Sequence, residues 1–169
     1  MQSVFLVGFM GSGKSFWGGR LADALEVPFY DLDALIVERS GKSISDIFAA
    51  LGEQGFRELE RDYLLELLDQ PPAVISTGGG TPCFFDNMQQ MNRRGKTIYL
   101  EIPLEVLVQR LEKGKHKRPL IAGLSAGELS GFIENMLEKR LPFYQLAQEK
   151  PEWSGEEEEY LKRLIASAT

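Results

Sequence analysis

The chain has 169 residues, about the length of one domain and enough to bury a continuous core. At 43% hydrophobic and 26% charged it has an ordinary globular composition, with no apolar run near the ~20 residues of a membrane span. The net charge of −6, from 19 basic and 25 acidic residues, makes an unfavourable global field for nucleic acid or an anionic membrane, so any anionic ligand must be held by a local site.

Residues 3 to 7 form a short β-rich run that stops at Gly8. No basic segment precedes it, so neither a secretory leader nor a membrane anchor is expected, and the cytoplasm is the expected compartment. "GFMGSGKS" (8–15) follows, and then helix-compatible residues from Lys14 to Leu25. "PFYDLD" (28–33) reads as a second strand with Asp31 and Asp33 at its carboxyl end, leading into a helix that should end at Gly41. Ser43-Ile-Ser-Asp46 has the form of a helix cap, and after Gly52 a longer helix carries Leu59, Tyr63, Leu64 and Leu67 on one stripe. Pro71-Pro72 ends it. "AVISTGGG" then gives a strand running into three glycines. Cys83 is the only cysteine, which excludes an intrachain disulfide and a Cys-rich metal site.

"KTIYLEI" (96–102) is the next strand, and Pro103 suits the first turn of a helix reaching about Leu111. Residues 113–125, "KGKHKRPLIAGLS", break the periodicity and read as a mobile surface loop. This loop holds His116, the sole histidine, so nucleophilic chemistry with a histidine base has one poor candidate. A helix from about Gly155 to Ala168 closes the chain, with "EEEE" at the positive end of its dipole. Strand and helix alternate throughout, which predicts one α/β domain. A parallel sheet should be covered by helices on both faces, with ligands at the carboxyl ends of its strands.

The pattern G-x-x-x-x-G-K-[ST] is met by Gly8, Gly13, Lys14 and Ser15, between a strand and a helix as its physics requires. Glycines let successive N–H groups converge on phosphate, the helix amino end adds partial positive charge, the lysine reaches the terminal phosphates and the serine hydroxyl can ligate Mg²⁺. Gly11, Ser12, Gly13, Lys14, Ser15 and Phe16 are the expected ATP contacts. Gly78, Gly79 and Gly80 after "AVIST" are a second candidate, because bare backbone at a strand end invites close approach by a ligand. Asp31 and Asp33 could orient a metal-bound water and an acceptor hydroxyl, or serve as a helix cap and a solvated acid.

"FLVGFMGSGKS", "FYDLD", "GEQGFRELE", "VISTGGG", "KRPL" and "EKRLPFY", in that order, resemble the successive motifs of the shikimate kinase family. The resemblance covers residues 4 to about 145. It implies a three-layer α-β-α P-loop fold of the nucleoside-monophosphate-kinase kind and transfer of the ATP γ-phosphate to the 3-hydroxyl of shikimate. Asp33 is then the residue at the shikimate hydroxyls and the candidate proton acceptor, and Asp31 an indirect Mg²⁺ ligand beside Ser15. Arg57 and Arg140 would hold the substrate carboxylate, with Gly79 and Gly80 adding N–H contacts. Arg118 would be the lid arginine at the γ-phosphate, catalytic together with Lys14 and Asp33, and Arg110 the arginine stacked on adenine. Mg²⁺, ATP and shikimate are the implied ligands, and a monomer is expected. Without the resemblance, Arg57 and Arg140 would read as helix-surface ion-pair residues.

Two stretches depart from the family pattern. Phe16 and Trp17 follow Ser15 where smaller residues are usual. Beyond Tyr144, "QLAQEKPEWSGEEEEY" is too short and polar for both a final strand and an adenine-contacting turn, leaving Pro151 as a stand-in at the base. A gluconate kinase of the same fold and a nucleotide-binding regulator without catalysis are the competing readings. The first leaves "STGGG" with Arg57 and Arg140 unexplained, and retention of Lys14, Asp33 and Arg118 speaks against the second.

Overall fold

The computed structural model describes all 169 residues. Four parallel strands, β1 (Ser3–Val7), β2 (Phe29–Asp31), β3 (Val74–Ser76) and β4 (Gly95–Tyr99), form one sheet in the order β2-β3-β1-β4. β1 is central, with Val4, Phe5 and Leu6 opposite Val74, Ile75 and Ser76 of β3, and Ser3 to Val7 opposite Gly95 to Tyr99 of β4. A strand covered on both faces is apolar throughout, and Val4 to Val7 are fully buried. Their side chains alternate between two cores. Phe5 and Val7 join Leu32, Ile36, Leu64, Leu111 and Ile133 on one face; Val4 and Leu6 join Trp17, Leu21, Tyr160 and Leu164 on the other.

The second face is covered by α1 (Lys14–Leu25) and α7 (Glu157–Ala168). The first is covered by α2 (Leu32–Ser40), α3 (Ile44–Leu68), α4 (Asn87–Arg94), α5 (Leu104–Gly114) and α6 (Ala126–Tyr144). α2 stops at Gly41, and the Ser43 hydroxyl caps α3 by accepting from Asp46 N at 3.1 Å. Gly52 (φ 70°, ψ 179°) kinks α3 between residues 44–51 and 53–68.

Three element bounds differ from the sequence expectations. The second strand ends at Asp31, and Asp33 lies in the first turn of α2: Asp31 Oδ1 accepts from Ala34 N at 3.1 Å, so the carboxylate itself starts the helix. The strand beginning at Lys96 is bounded at Gly95–Tyr99, and the helix after Pro103 runs three residues further, to Gly114. The doubtful final strand is reduced to one bridge, Ile98 to Glu149. There Tyr99 N donates to Glu149 O at 2.9 Å and Glu149 N to Thr97 O at 3.0 Å. The Gln148 side chain takes the place of a further strand residue: its Oε1 accepts from Thr97 N at 3.1 Å. Residues 115–125 hold a short 3-10 turn, Lys115–Lys117, and further turns. No helix is long and apolar enough to cross a membrane.

Candidate active site

Because β3 lies between β1 and β2, the loop after it emerges between the loop after β1 and the Asp31–Asp33 turn. Three sequence-distant motifs therefore meet at one edge of the sheet.

The loop after β1 is a nest of unused donors. Gly11 (φ 80°) and Gly13 (φ 89°) take backbone conformations that other residues rarely adopt. The N–H groups of Gly11, Gly13, Lys14, Ser15 and Phe16 donate to no protein acceptor. Ser12 Oγ is buried without a partner. Lys14 is buried and curls back over the loop, its Nζ donating to Gly8 O at 2.8 Å and Phe9 O at 3.0 Å. Burial lowers its pKa to about 8 against the pull of Asp33 and Asp31. Ser15 Oγ donates to Asp31 Oδ2. No three His, Cys, Asp or Glu side chains converge as a metal site.

These groups line a cavity of about 670 Å³ that runs from Lys14, Ser15, Asp31 and Asp33 to Arg110 and Trp153. Arg110 donates to Gly11 O at 3.0 Å and lies over the Trp153 ring, 5.2 Å from its centroid. Trp153 in turn packs edge-on to Trp17 and Tyr160 at 6.4 and 4.8 Å. Pro151 does not reach this cavity; it is buried and lines a neighbouring apolar one with Tyr99 and Leu141.

A second cavity, about 730 Å³, lies between the glycine loop, α3, α6 and the 117–120 segment. Its cations are Arg57, Lys117, Arg118 and Arg140, and its acids Asp33 and Glu60, a balance suited to a small anion. Arg57 is no surface ion-pair residue. It is 8% exposed, donates from Nη1 to the buried Glu60 at 2.9 Å, leaves Nε buried without a partner, and lies over Phe84, 4.3 Å from the ring centroid. Arg140 is half-buried, lies 5.6 Å from the centroid of the Phe9 ring, and forms no ion pair. The glycines admit these guanidinium groups: a Cβ on Gly79 would sit 2.9 Å from Arg140 Nη1, and one on Gly80 would overlap Arg57.

Met10, Asp33, Gly79 and Arg118 border both cavities. Burial, then the charges of Glu60 and Asp31, raise the Asp33 pKa to about 6, still ionised at neutral pH. Arg118 is half-buried and donates to Gly114 O at 3.3 Å. A phosphoryl donor in the first cavity and an alcohol in the second would thus meet between a carboxylate and a guanidinium.

The structure brings Gly11, Gly13 to Phe16, Asp31, Asp33, Arg110 and Arg118 around the first cavity, and Asp33, Arg57, Gly79, Gly80, Arg118 and Arg140 around the second. Ser12, expected among the ATP contacts, is instead buried beneath the loop with its N–H donating to Phe9 O at 3.2 Å. Glu60, Phe48 and Trp153 also line these cavities and are missed by motif reasoning. Glu60 could have been found from its position three residues after Arg57. Trp153 carries no signal beyond lying in the stretch that departs from the family pattern.

A family model described as shikimate kinase matches residues 10–168. A shikimate kinase from Bacteroides thetaiotaomicron is 50% identical over 148 residues, 88% of this chain and 85% of that protein. The crystal structure of shikimate kinase from that organism superposes with a TM-score of 0.92 at 45% identity, over 98% of this chain and 97% of the other. Shikimate kinase from Acinetobacter baumannii, solved in complex with shikimate, gives a TM-score of 0.85 at 32% identity, over 98% and 89% of the two chains.

Proposed function

The chain belongs to the shikimate kinase family, and from that premise we propose the residue roles for its reaction, transfer of the ATP γ-phosphate to the 3-hydroxyl of shikimate. The observation that carries this reading is the junction of the two cavities at Met10, Asp33, Gly79 and Arg118.

ATP lies in the first cavity, its phosphates on the free N–H groups of the glycine loop and on Lys14, its base against Arg110 and Trp153. Shikimate lies in the second, its carboxylate taken by Arg57 and Arg140 with the Gly79 and Gly80 N–H groups, its hydroxyls by Asp33. The acceptor oxygen bonds to the γ-phosphorus as the bond to the β,γ-bridging oxygen breaks, and ADP leaves. The hydroxyl proton passes to Asp33, which is ionised and at the junction. Phosphoryl transfer asks mainly for positioning and positive charge, which Lys14 and Arg118 supply. Residues 115–125, which follow α5, act as a lid, and their closure shields the phosphate from water.

Ser15 Oγ and the Asp31 carboxylate are hard oxygen donors facing one another, and so few protein ligands suit Mg²⁺, which keeps several waters and leans on phosphate. When bound, Mg²⁺ neutralises phosphate charge. Both cavities are built within one chain, which supports action as a monomer; the cytoplasm is its proposed place.

The test is an ADP-release assay with shikimate, gluconate and a nucleoside monophosphate as acceptors. Turnover with shikimate alone is expected. Turnover with gluconate and none with shikimate would move the assignment to a gluconate kinase, and no turnover with any acceptor would favour a silent nucleotide-binding protein.

A further inference from the structure

Tyr144 closes the last turn of α6, one turn after Arg140, and is fully buried. Its hydroxyl nevertheless reaches the glycine loop and donates to the Gly79 carbonyl at 2.6 Å. Burial pushes this phenol far above its ordinary pKa, so it remains a donor at any working pH. The ring is wedged against Tyr99, with centroids 5.1 Å apart and planes at 31°.

A carbonyl oxygen and the following N–H share one rigid trans peptide and point in opposite directions, and the chain has no cis peptide. Holding Gly79 O on the Tyr144 side therefore turns the Gly80 N–H to the other side of the loop. There it donates to no protein acceptor, although Gly80 is buried and borders the second cavity beside Arg57. This peptide is the middle one of a turn closed by Thr81 N donating to Gly78 O at 3.2 Å, and two glycines in succession would otherwise let it flip over. The same helix carries Arg140, whose Nη1 lies 2.9 Å from the place of a Gly79 Cβ. One turn of α6 thus sets both a guanidinium and a peptide plane.

We propose that Tyr144 is a positioning residue for acceptor binding: its hydroxyl locks the Gly79–Gly80 peptide so that the Gly80 N–H faces the acceptor carboxylate together with Arg57 and Arg140. The proposal rests on the reading of the second cavity as the shikimate site.

The test is Tyr144→Phe, which keeps the ring and removes the hydroxyl, both the donor to Gly79 O and a hydrogen-bond partner of Arg140. The shikimate KM should rise about tenfold with the ATP KM unchanged, as when one hydrogen bond to a charged group is loosened rather than removed. Tyr99→Phe, which strips a hydroxyl from the packed neighbour, should leave both constants as they are. An unchanged shikimate KM in Tyr144→Phe, or an equal rise in both constants, would overturn the proposal. In the unaltered protein, the Gly80 amide resonance should shift and gain exchange protection when shikimate is added; its failure to respond would overturn the proposal even if Tyr144→Phe cannot be folded. Failure of the unaltered chain to turn over shikimate would instead overturn the reading of the cavity.

Discussion

Ser15 and Asp31 are joined by a hydrogen bond from the serine hydroxyl to one carboxylate oxygen, which ties the first turn of α1 to the end of β2. The other carboxylate oxygen caps α2 at Ala34. Asn caps helices as well as Asp does, so Asp31→Asn separates the two duties. It should leave the melting temperature almost unchanged while the Mg²⁺ concentration for half-maximal rate rises severalfold. Asp31→Ala should show the same Mg²⁺ effect and lose about 1 kcal/mol of stability as well. An unaltered Mg²⁺ titration in both would remove Asp31 from the metal's surroundings.

Arg140 and Arg57 should respond differently to truncation although both face the same cavity. Arg140 has no ion-pair partner, so Arg140→Ala should fold normally and raise the shikimate KM by roughly 10- to 150-fold, the worth of one charge-assisted hydrogen bond, with little change for ATP. Arg57→Ala would leave Glu60, 1% exposed, as a buried charge, a defect of about 3–5 kcal/mol, so its melting curve should shift before any kinetics are read. Equal effects of Arg140→Ala on both substrates would refute its carboxylate role.

The two perturbed groups at the junction set a pH window. Asp33 must be ionised and Lys14 protonated, so kcat/KM measured with neither substrate saturating should rise through about pH 6 and fall above about pH 8. Stability runs the other way for Asp33: with a folded pKa of about 6 against an ordinary 3.8, its contribution is whole below about pH 4 and is lost as pH climbs through 6. Asp33→Asn should therefore melt higher at pH 7–8, by the equivalent of about 1–3 kcal/mol, while turnover collapses and ATP still binds. Loss of ATP affinity in that variant would place Asp33 on the nucleotide side.

Trp153 lines the proposed nucleotide cavity with Phe16 and Trp17, and base-on-aromatic stacking contributes about 1–3 kcal/mol. Trp153→Ala should raise the ATP KM about tenfold or more and leave the shikimate KM in place. Trp153 and Trp17 are the only tryptophans, so ATP should also change the intrinsic fluorescence, and Trp153→Ala should abolish most of that change. An ATP KM unaffected by the substitution would confine Trp153 to packing.

The alternation of strand and helix and the glycine loop were legible because both are written in local pattern: an apolar run, glycines at fixed spacing, then helix formers. α4 was not, because "NMQQMNRR" offers only Met88 and Met91 to a core and otherwise resembles a loop. The start of α2 was misjudged because Asp31 is both the end of a strand and a helix cap, and sequence alone does not say which duty falls on which aspartate. Arg57 and Arg140 converge only through the packing of α3 and α6 around the glycine loop, so family resemblance found them where spacing could not. Trp153 escaped both routes, since it stands in a segment that keeps one bridge of a strand and completes the sheet edge with the Gln148 side chain.

Because Met10, Asp33, Gly79 and Arg118 border both cavities, the proposed donor and acceptor sites adjoin as two arms that meet at those residues. A molecule bearing an adenosine at one end and a cyclohexene acid at the other could occupy both arms, with its linker at Asp33 and Arg118. Once one end is seated, the other is present at high effective concentration, so inhibition by such a compound would depend chiefly on linker length.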